Sequence, residues 1–388
     1  MTRAPFGTFG GEGVEEVTLS SAAGAEAKII TFGAIVRDLV VPSRKGPQRV
    51  VLGLERVEDY AGSARYMGAI VGRYGNRIGN GRFALDGKSF ALDLNENGRQ
   101  HLHGGGRGFA QRLWTVVDAS ASSVTLALVS ADGDMGYPGR LVATCAYTLM
   151  EPATLRVVLE ATADQPTPVN LTTHLYYNLD GGPDILDHEL KIAAEHVTPT
   201  DDELIPTGEV RSVAGTPYDF RALRPIRAAK HVAAAEYDLN YVLSGAGGGL
   251  GHAATLASRR SGVAMELWTT EPGLQFYGGH KLDVPAGALG GGGYGRHGGL
   301  CLEPQRFPDG PNKRHFPPCI LRPGEVSRQV SELRFAAREG RRAAAWRAAP
   351  QGALRCRGFE ASADESSASR RKKPWRGAWR ASTERSGR

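Results

Sequence analysis

Short stretches in which apolar and polar residues alternate recur along this chain as far as about Phe335, with glycine and proline between them. Alternation with a period of two is typical of strands that bury one face. The clearest examples are residues 36–41, 125–129 and 155–161. Helical patterns are scarce, and residues 226–235 are the best short candidate. Because 51 glycines and 22 prolines supply many turns, the sequence predicts an all-β chain folded as a large antiparallel β-sandwich.

One hairpin is predicted in detail, within residues 83–92. Asp86 and Gly87 lie between two alternating flanks. Such a pair tolerates the positive φ angles of a type I′ turn, which fits the twist of the adjoining strands. We therefore expect a two-residue turn at this position.

Charge divides the chain unevenly. The net charge is +6, but the last 52 residues hold 14 Lys or Arg and 5 Asp or Glu, so they carry +9 and the first 336 carry −3. The pattern predicts a globular domain over residues 1–336 and a basic, low-complexity tail over residues 337–388. We expect this tail to be disordered, with a basic arm for nucleic acid or an acidic membrane as the alternative. No nucleic-acid partner is expected for the main domain.

Cysteine usage and the N-terminus favour the cytoplasm. The four cysteines are far apart and form no CxxC pair, which disfavours a disulfide framework or a zinc ribbon. Residues 1–13 lack the basic start and apolar run of a secretory signal. No run of 18 apolar residues occurs, so no membrane association is expected.

Polar groups concentrate in four segments, residues 72–78, 101–105, 168–174 and 301–305. Two of these segments place His174 and Glu303 beside apolar, strand-like sequence. An imidazole and a buried carboxylate that face one cavity can share general acid-base work near neutral pH. Taken singly, each residue is more often structural, as a core histidine or an ion-paired glutamate.

Three other chemistries receive less support. His101 and His103, at i and i+2 on a strand, would face one side as metal ligands do, but nearby spacing supplies no third ligand. Residues 103–106 resemble the oxyanion loop of some esterases, yet no GxSxG motif accompanies them. The glycine-rich residues 245–251 and 287–299 lack the Lys-Ser/Thr pair of a phosphate-binding loop.

Six ordered segments together resemble the aldose 1-epimerase (galactose mutarotase) family, over about residues 5 to 336. They read GRYGNRI at 72–78, LHGG at 102–105, NLTTH at 170–174, TTEPGLQFY at 269–277, CLEPQ at 301–305 with Pro308-Asp309 after it, and LRPGE at 321–325. The resemblance implies a galactose-mutarotase-like β-sandwich with a sugar cleft on one sheet face. It also implies an enzyme that interconverts the α and β anomers of free aldoses such as galactose and glucose.

Residue roles follow from the same resemblance. Glu303 matches the family's general base and His174 its general acid. The positions that match sugar contacts are His103, Asn76, Arg77, Asp238 and Gln275. No cofactor and no metal are implied, and the partner is a small-molecule aldose. We expect a monomer or a homodimer.

The chain departs from the family pattern at Thr173 and His280, where asparagine is usual, and in its extra tail. Two rival functions remain. A hexose-phosphate epimerase would need basic side chains at the cleft, for which Arg73, Arg77 and Arg82 are candidates. A non-catalytic sugar-binding module would not need both Glu303 and His174. Tyr74 and Tyr277 are candidates for an aromatic surface against the sugar, although core packing suits each equally.

Overall fold

Strands form most of the regular structure in this computed structural model, which describes residues 2–62, 64–227, 236–245 and 249–337. Within these residues the strands, in chain order, are β1 Thr2–Phe9, β2 Glu12–Ser20, β3 Glu26–Ile30, β4 Ile35–Ser43, β5 Gly46–Arg49, β6 Ile70–Val71, β7 Arg77–Ile78, β8 Arg82–Leu85, β9 Lys88–Ala91, β10 His101–Leu102, β11 Thr115–Ala119, β12 Ser123–Ser130, β13 Leu141–Met150 and β14 Thr154–Ala163. They continue with β15 Thr167–Pro168, β16 Thr172–Thr173, β17 Tyr176–Tyr177, β18 Glu189–Ile192, β19 Ala194–Thr198, β20 Arg211–Ser212, β21 Arg224–Pro225, β22 Asp238–Leu243, β23 Gly251–Ala257, β24 Val263–Thr269, β25 Gly273–Tyr277, β26 Leu300–Gln305, β27 Ile320–Leu321 and β28 Ser327–Ala337. The helices of these residues are α1 Val57–Ala61 and four 3₁₀ turns, Gly79–Gly81, Phe109–Gln111, Asp134–Gly136 and Gly310–Asn312.

Three sheets carry the architecture. The largest has nine strands in the order β11-β12-β13-β14-β28-β24-β23-β18-β21. A six-stranded sheet has the order β17-β26-β25-β22-β19-β20, and β1 to β5 form a five-stranded meander. The strand pairings within these sheets are antiparallel. The predicted all-β antiparallel class is confirmed.

The core lies between the sheets and follows from the alternation in the sequence. In β13 every second side chain is buried, from Leu141 to Leu149. These residues join one apolar cluster with Leu274, Phe276 and Leu302 of the six-stranded sheet. Each fully buried side chain of this size contributes about 1.5–3 kcal/mol. Two sheets that share one apolar cluster form a sandwich.

The same alternation fixes the outer face of the six-stranded sheet. Successive side chains of a strand point to opposite faces, so the side chains that flank Phe276 and Leu302 point away from the core. On β25 these are Gln275 and Tyr277, and on β26 they include Glu303. All six residues of β26 are buried, so its outward face is also covered. A covered polar face on a rigid sheet is a suitable place for a site.

Several local predictions can be compared with the structure. Asp86 and Gly87 have φ angles of 49° and 79°, which confirms the two-residue turn between β8 and β9. Most of the helix candidate, residues 228–235, lies outside the described residues. So does the predicted tail apart from Ala337, which is the last residue of β28 and pairs with Val263. In the described part of the chain, no helix is long and apolar enough to cross a membrane.

The turn at Gly87 gives a test of local stability. A Cβ at Gly87 would meet nothing within 4 Å, so Gly87→Ala should cost only the backbone strain at positive φ. We expect the free energy of unfolding to fall by about 1–2 kcal/mol, measured by urea denaturation. Gly13→Ala is the control, because Gly13 has open space and no positive φ. Equal stability of the two variants would contradict the assignment of strain to the turn.

Candidate active site

Two side chains far apart in the sequence face each other on the covered side of the six-stranded sheet. Nε2 of His174 lies 3.7 Å from Oε1 of Glu303, and both residues are buried. His174 directly follows β16, and its backbone is held by hydrogen bonds with Ala69 and Gly68. Glu303 is in the middle of β26. The imidazole and the carboxylate are therefore held on separate, well-ordered elements.

A row of polar side chains crosses the sheet beside Glu303. Gln275 is directly opposite Glu303 on the neighbouring strand, and Asn240 is opposite Gln275 on the next one. Nε2 of Gln305 donates to the side-chain oxygens of Gln275 and Asn240, at 3.2 and 3.1 Å. Gln275 in turn donates from Nε2 to Oδ1 of Asp238, at 2.7 Å. The row fixes the orientation of the Gln275 amide and holds the half-buried Asp238 in place.

Burial makes Glu303 a stronger base than an ordinary glutamate. Desolvation raises the pKa of Glu303 well above its usual value, the negative charge of Asp238 raises it further, and Arg77 opposes both. Oε2 of Glu303 is buried and accepts no hydrogen bond from the described residues. A carboxylate oxygen without a protein donor keeps its lone pairs available for a proton from a ligand.

His174 is surrounded by rings. The ring centroids of His103, Tyr176 and Tyr66 lie 5.1, 5.3 and 6.0 Å from that of His174. Burial lowers the pKa of His174 to about 4. The imidazole is therefore neutral at neutral pH, and one of its two nitrogens carries the proton.

His103 has a defined role as a donor. Its Nδ1 accepts a hydrogen bond of 3.1 Å from the backbone N–H of Asn76, while its own backbone N–H donates to the carbonyl of Asn76. Because Nδ1 accepts and burial lowers the pKa of His103 well below 6.5, Nε2 must carry the ring proton. His103 can therefore donate to a ligand oxygen.

A metal fits this arrangement poorly, although His103, His174 and Glu303 bring possible ligand atoms within 4.8 Å of one another. Nε2 of His103 would have to lose its proton to bind a metal. Nδ1 would then carry it and would oppose the N–H of Asn76, donor against donor. The three side chains suit an organic ligand better.

The conditional expectation that His101 and His103 act together as metal ligands gains no support, because the group of possible ligand atoms in the described residues includes His103 but not His101. Nδ1 of His101 contacts the carbonyl of Asp93 and Nε2 contacts the hydroxyl of Tyr137, both at 2.7 Å. The positive φ of 50° at His103 breaks the strand alternation on which the expectation depended. His101 is a buried structural histidine, and His103 belongs to the site.

Asn76 and Arg77 complete this side of the site. Asn76 has a φ of 62°, and its side-chain oxygen accepts from the backbone N–H of Arg77. The guanidinium of Arg77 forms a bidentate ion pair with the carboxylate of Glu96, at 2.7 Å for each contact. Two charge-assisted hydrogen bonds fix the guanidinium as a rigid donor beside Glu303.

The other two arginines do not support a phosphate site. Arg73 is 1% exposed, and its guanidinium donates to the carbonyls of Ala131, Pro138 and Gly139. Arg82 is exposed on β8. With Arg77 paired to Glu96, these three cations do not converge on one ligand.

Some participants were missed from the sequence, and one of the two aromatic candidates packs in the core. Tyr66, Asn240 and Gln305 contribute to the site, although only Gln305 lies in one of the motifs. Tyr74 is fully buried in a cluster with Ile78 and Phe83, and its hydroxyl donates to the carbonyl of Phe307. It is therefore a core residue. Tyr277 faces outward and packs against Tyr176 and His280.

Known proteins are similar to this chain in sequence and fold. The family model described as aldose 1-epimerase matches residues 15–334. The chain belongs to the aldose 1-epimerase family. It is 42% identical to a galactose mutarotase of Bos taurus over 86% of this chain and 98% of the relative. It is 37% identical to an aldose 1-epimerase of Escherichia coli over 83% and 95%, respectively.

Solved structures agree with this assignment. An aldose epimerase homologue from C. elegans superposes with a TM-score of 0.79 at 30% identity, over 84% of this chain and 99% of that one. As a member of the aldose 1-epimerase family, the chain is an isomerase that interconverts the α and β anomers of aldoses. The fold and the activity implied by the six motifs are confirmed. The roles of individual residues stay predictions.

The electrostatics of Glu303 can be tested without substrate. Asp238→Asn removes a negative neighbour and should lower the pKa of Glu303, whereas Arg77→Gln removes a positive one and should raise it. Carboxyl ¹³C NMR would follow the titration, with Glu303→Gln identifying the signal.

Asp118→Asn, at an exposed position on β11, is the control and should leave the titration of Glu303 unchanged. Shifts of the same sign in the Asp238 and Arg77 variants would contradict the assigned contributions.

Proposed function

We propose that Glu303 and His174 catalyse the interconversion of anomers as general base and general acid, on a neutral free aldose. The observation that carries the proposal is the buried contact of 3.7 Å between Nε2 of His174 and Oε1 of Glu303. A second support is Oε2 of Glu303, which accepts no hydrogen bond within the described structure.

The reaction is balanced because the sugar loses one proton at the C1 hydroxyl and gains one at the ring oxygen. Glu303 removes the proton of the C1 hydroxyl, and the electrons form the aldehyde carbonyl as the bond between C1 and the ring oxygen breaks. His174 gives a proton to the ring oxygen. Rotation about the C1–C2 bond presents the other carbonyl face, and reclosure with the two groups in reversed roles gives the other anomer. No electron leaves the sugar, so the step needs no redox cofactor.

A neutral His174 suits this role. The ring oxygen develops alkoxide character as its bond to C1 breaks, and an alkoxide is a much stronger base than an ordinary imidazole. A neutral imidazole N–H is a weak acid, and the proton affinity of its conjugate base is closer to that of the alkoxide than the proton affinity of a neutral imidazole is. Matched proton affinities favour transfer in the transition state. The low pKa of about 4 keeps His174 in this form.

Five further side chains are proposed to bind the sugar. Arg77 and the Nε2–H of His103 offer donors, whereas Asp238 offers carboxylate oxygens. Asn76 and Gln275 offer amides. All of them except Asp238 are at most 7% exposed, so their hydrogen bonds to hydroxyls would form away from water. The relatives named galactose mutarotase support galactose as one substrate.

Neither rival function fits as well. A phosphorylated sugar would need a converging cationic group, and Arg73 and Arg77 already have partners. A binding module has no need of a buried carboxylate without a donor, because desolvating that group costs several kcal/mol.

Location and assembly stay at the level of proposals. We propose that the protein works in a reducing compartment such as the cytoplasm. Cys145, Cys301 and Cys319 are unpaired and buried in the described part of the chain, as is usual where thiols stay reduced. The oligomeric state, a monomer or a homodimer, stays a prediction.

Polarimetry provides the test. Freshly dissolved α-galactose and α-glucose should change rotation faster with the protein than in buffer alone. Glu303→Gln and His174→Asn should each lower kcat by at least about tenfold, because each removes one proton-transfer group.

Glu332→Gln and His252→Asn serve as controls, since both residues lie on the nine-stranded sheet. Near-normal turnover in the Glu303 or His174 variant would refute that residue's role. If the optical rotation of several aldoses changes no faster with the wild-type protein than in buffer alone, the proposed function is refuted.

A further inference from the structure

A buried thiol touches the proposed acid on the side away from Glu303. Sγ of Cys301 lies 3.5 Å from Nδ1 of His174, and Cys301 is fully buried. Cys301 precedes Glu303 by two residues on β26, so both side chains point to the same face of the sheet. One strand therefore contacts both nitrogens of the His174 ring, Nδ1 through the thiol and Nε2 through the carboxylate.

The hydrogen atoms at this contact have a consistent arrangement. Burial and the charge of Glu303 raise the pKa of Cys301 well above its usual value, so the sulfur keeps its proton. Tyr176 is paired with Cys301 across the strands, so the two side chains lie on the same face of the sheet. A thiol can accept one hydrogen bond and donate another. Nδ1 of His174 is within hydrogen-bonding distance of the sulfur, so it can accept the S–H.

We propose that Cys301 is a positioning residue that donates its S–H to Nδ1 of His174 and holds the imidazole as the neutral Nε2–H tautomer. The consequence for catalysis rests on the proposed function, because the proton at Nε2 is the one that reaches the ring oxygen. The tautomer itself does not depend on that function.

The alternative tautomer is unfavourable here. With the proton on Nδ1, the thiol would have to turn its S–H away and act as a weak acceptor, and the lone pair left on Nε2 would face the carboxylate of Glu303. Nε2 would then have no proton to give to the ring oxygen. The imidazolium needs acceptors at both nitrogens; a backbone hydrogen bond of His174 favours this charged form, whereas an S–H that points at Nδ1 opposes it.

Other groups near His174 do not substitute for the thiol. The titratable groups that face its ring from the neighbouring elements are Tyr66, His103, Tyr176, Cys301 and Glu303. Arg77 and Asp238 act on the same site through Glu303. Of these groups, Cys301 is the one recorded in hydrogen-bond contact with Nδ1.

The experiment uses ¹⁵N NMR of the histidine rings in the full-length protein, with His174→Asn identifying the signals. The wild type should show the Nε2–H tautomer and a titration midpoint near the pKa of about 4. Cys301→Ala removes the donor to Nδ1. Its His174 should populate both tautomers, and the midpoint should rise because the charged form loses an opposing donor.

Two further variants separate the hydrogen bond from packing. Cys301→Ser retains a donor and should keep the Nε2–H tautomer. Cys301→Val fills the space without a donor and should behave as Cys301→Ala does. It provides the same test if Cys301→Ala weakens folding. Cys145→Ala, which removes another buried thiol on β13, is the control and should not change the His174 signals.

Turnover gives the catalytic half of the test. Removing the donor should lower kcat about threefold to tenfold, the effect of one net hydrogen bond, with little change in KM. An unchanged tautomer and midpoint in both the Ala and the Val variants would overturn the proposal. Wild-type protein without mutarotase activity would refute the proposed function and leave the tautomer result standing.

Discussion

Burial of the Glu303 carboxylate is the constraint on which the site depends. A carboxylate in the interior without a protein donor destabilises the folded state, and the rest of the fold must offset that cost. The sandwich does so through strand alternation, because Leu302 beside it is buried in the main core. The six-stranded sheet therefore contributes apolar side chains to the core on one face and holds the Glu303 carboxylate on the other.

Opposed charges set the strength of this base. Asp238 and Arg77 act on Glu303 in opposite directions, and each has a partner that holds it in place. Gln275 donates to Asp238, and Glu96 pairs with Arg77. Neither charge can move far, so the proton affinity of Glu303 is set by fixed geometry and not by flexible surface groups.

Local rules predicted much of the fold and less of the site. Alternation predicted the antiparallel sheets, and Asp86-Gly87 predicted its turn, because both signals depend on near neighbours. The pairing of His174 with Glu303 depended on the family resemblance, since no local pattern joins residues so distant in sequence. The sequence left the relation of His101 to His103 open, because the positive φ of His103 has no reliable mark in it. The contact of Cys301 with His174 likewise arises only from tertiary packing.

The chain of amides across the six-stranded sheet has a direction. It begins at Gln305 and ends on Asp238, so its last member is a pure acceptor. His103 and Arg77, which are not part of this chain of amides, present N–H groups. A hydroxyl that meets Asp238 must give its proton, and one that meets the N–H groups of His103 or Arg77 must offer a lone pair. The acceptor and these donors therefore impose a polarity on the proposed sugar site, and a sugar ring that binds there has a preferred orientation.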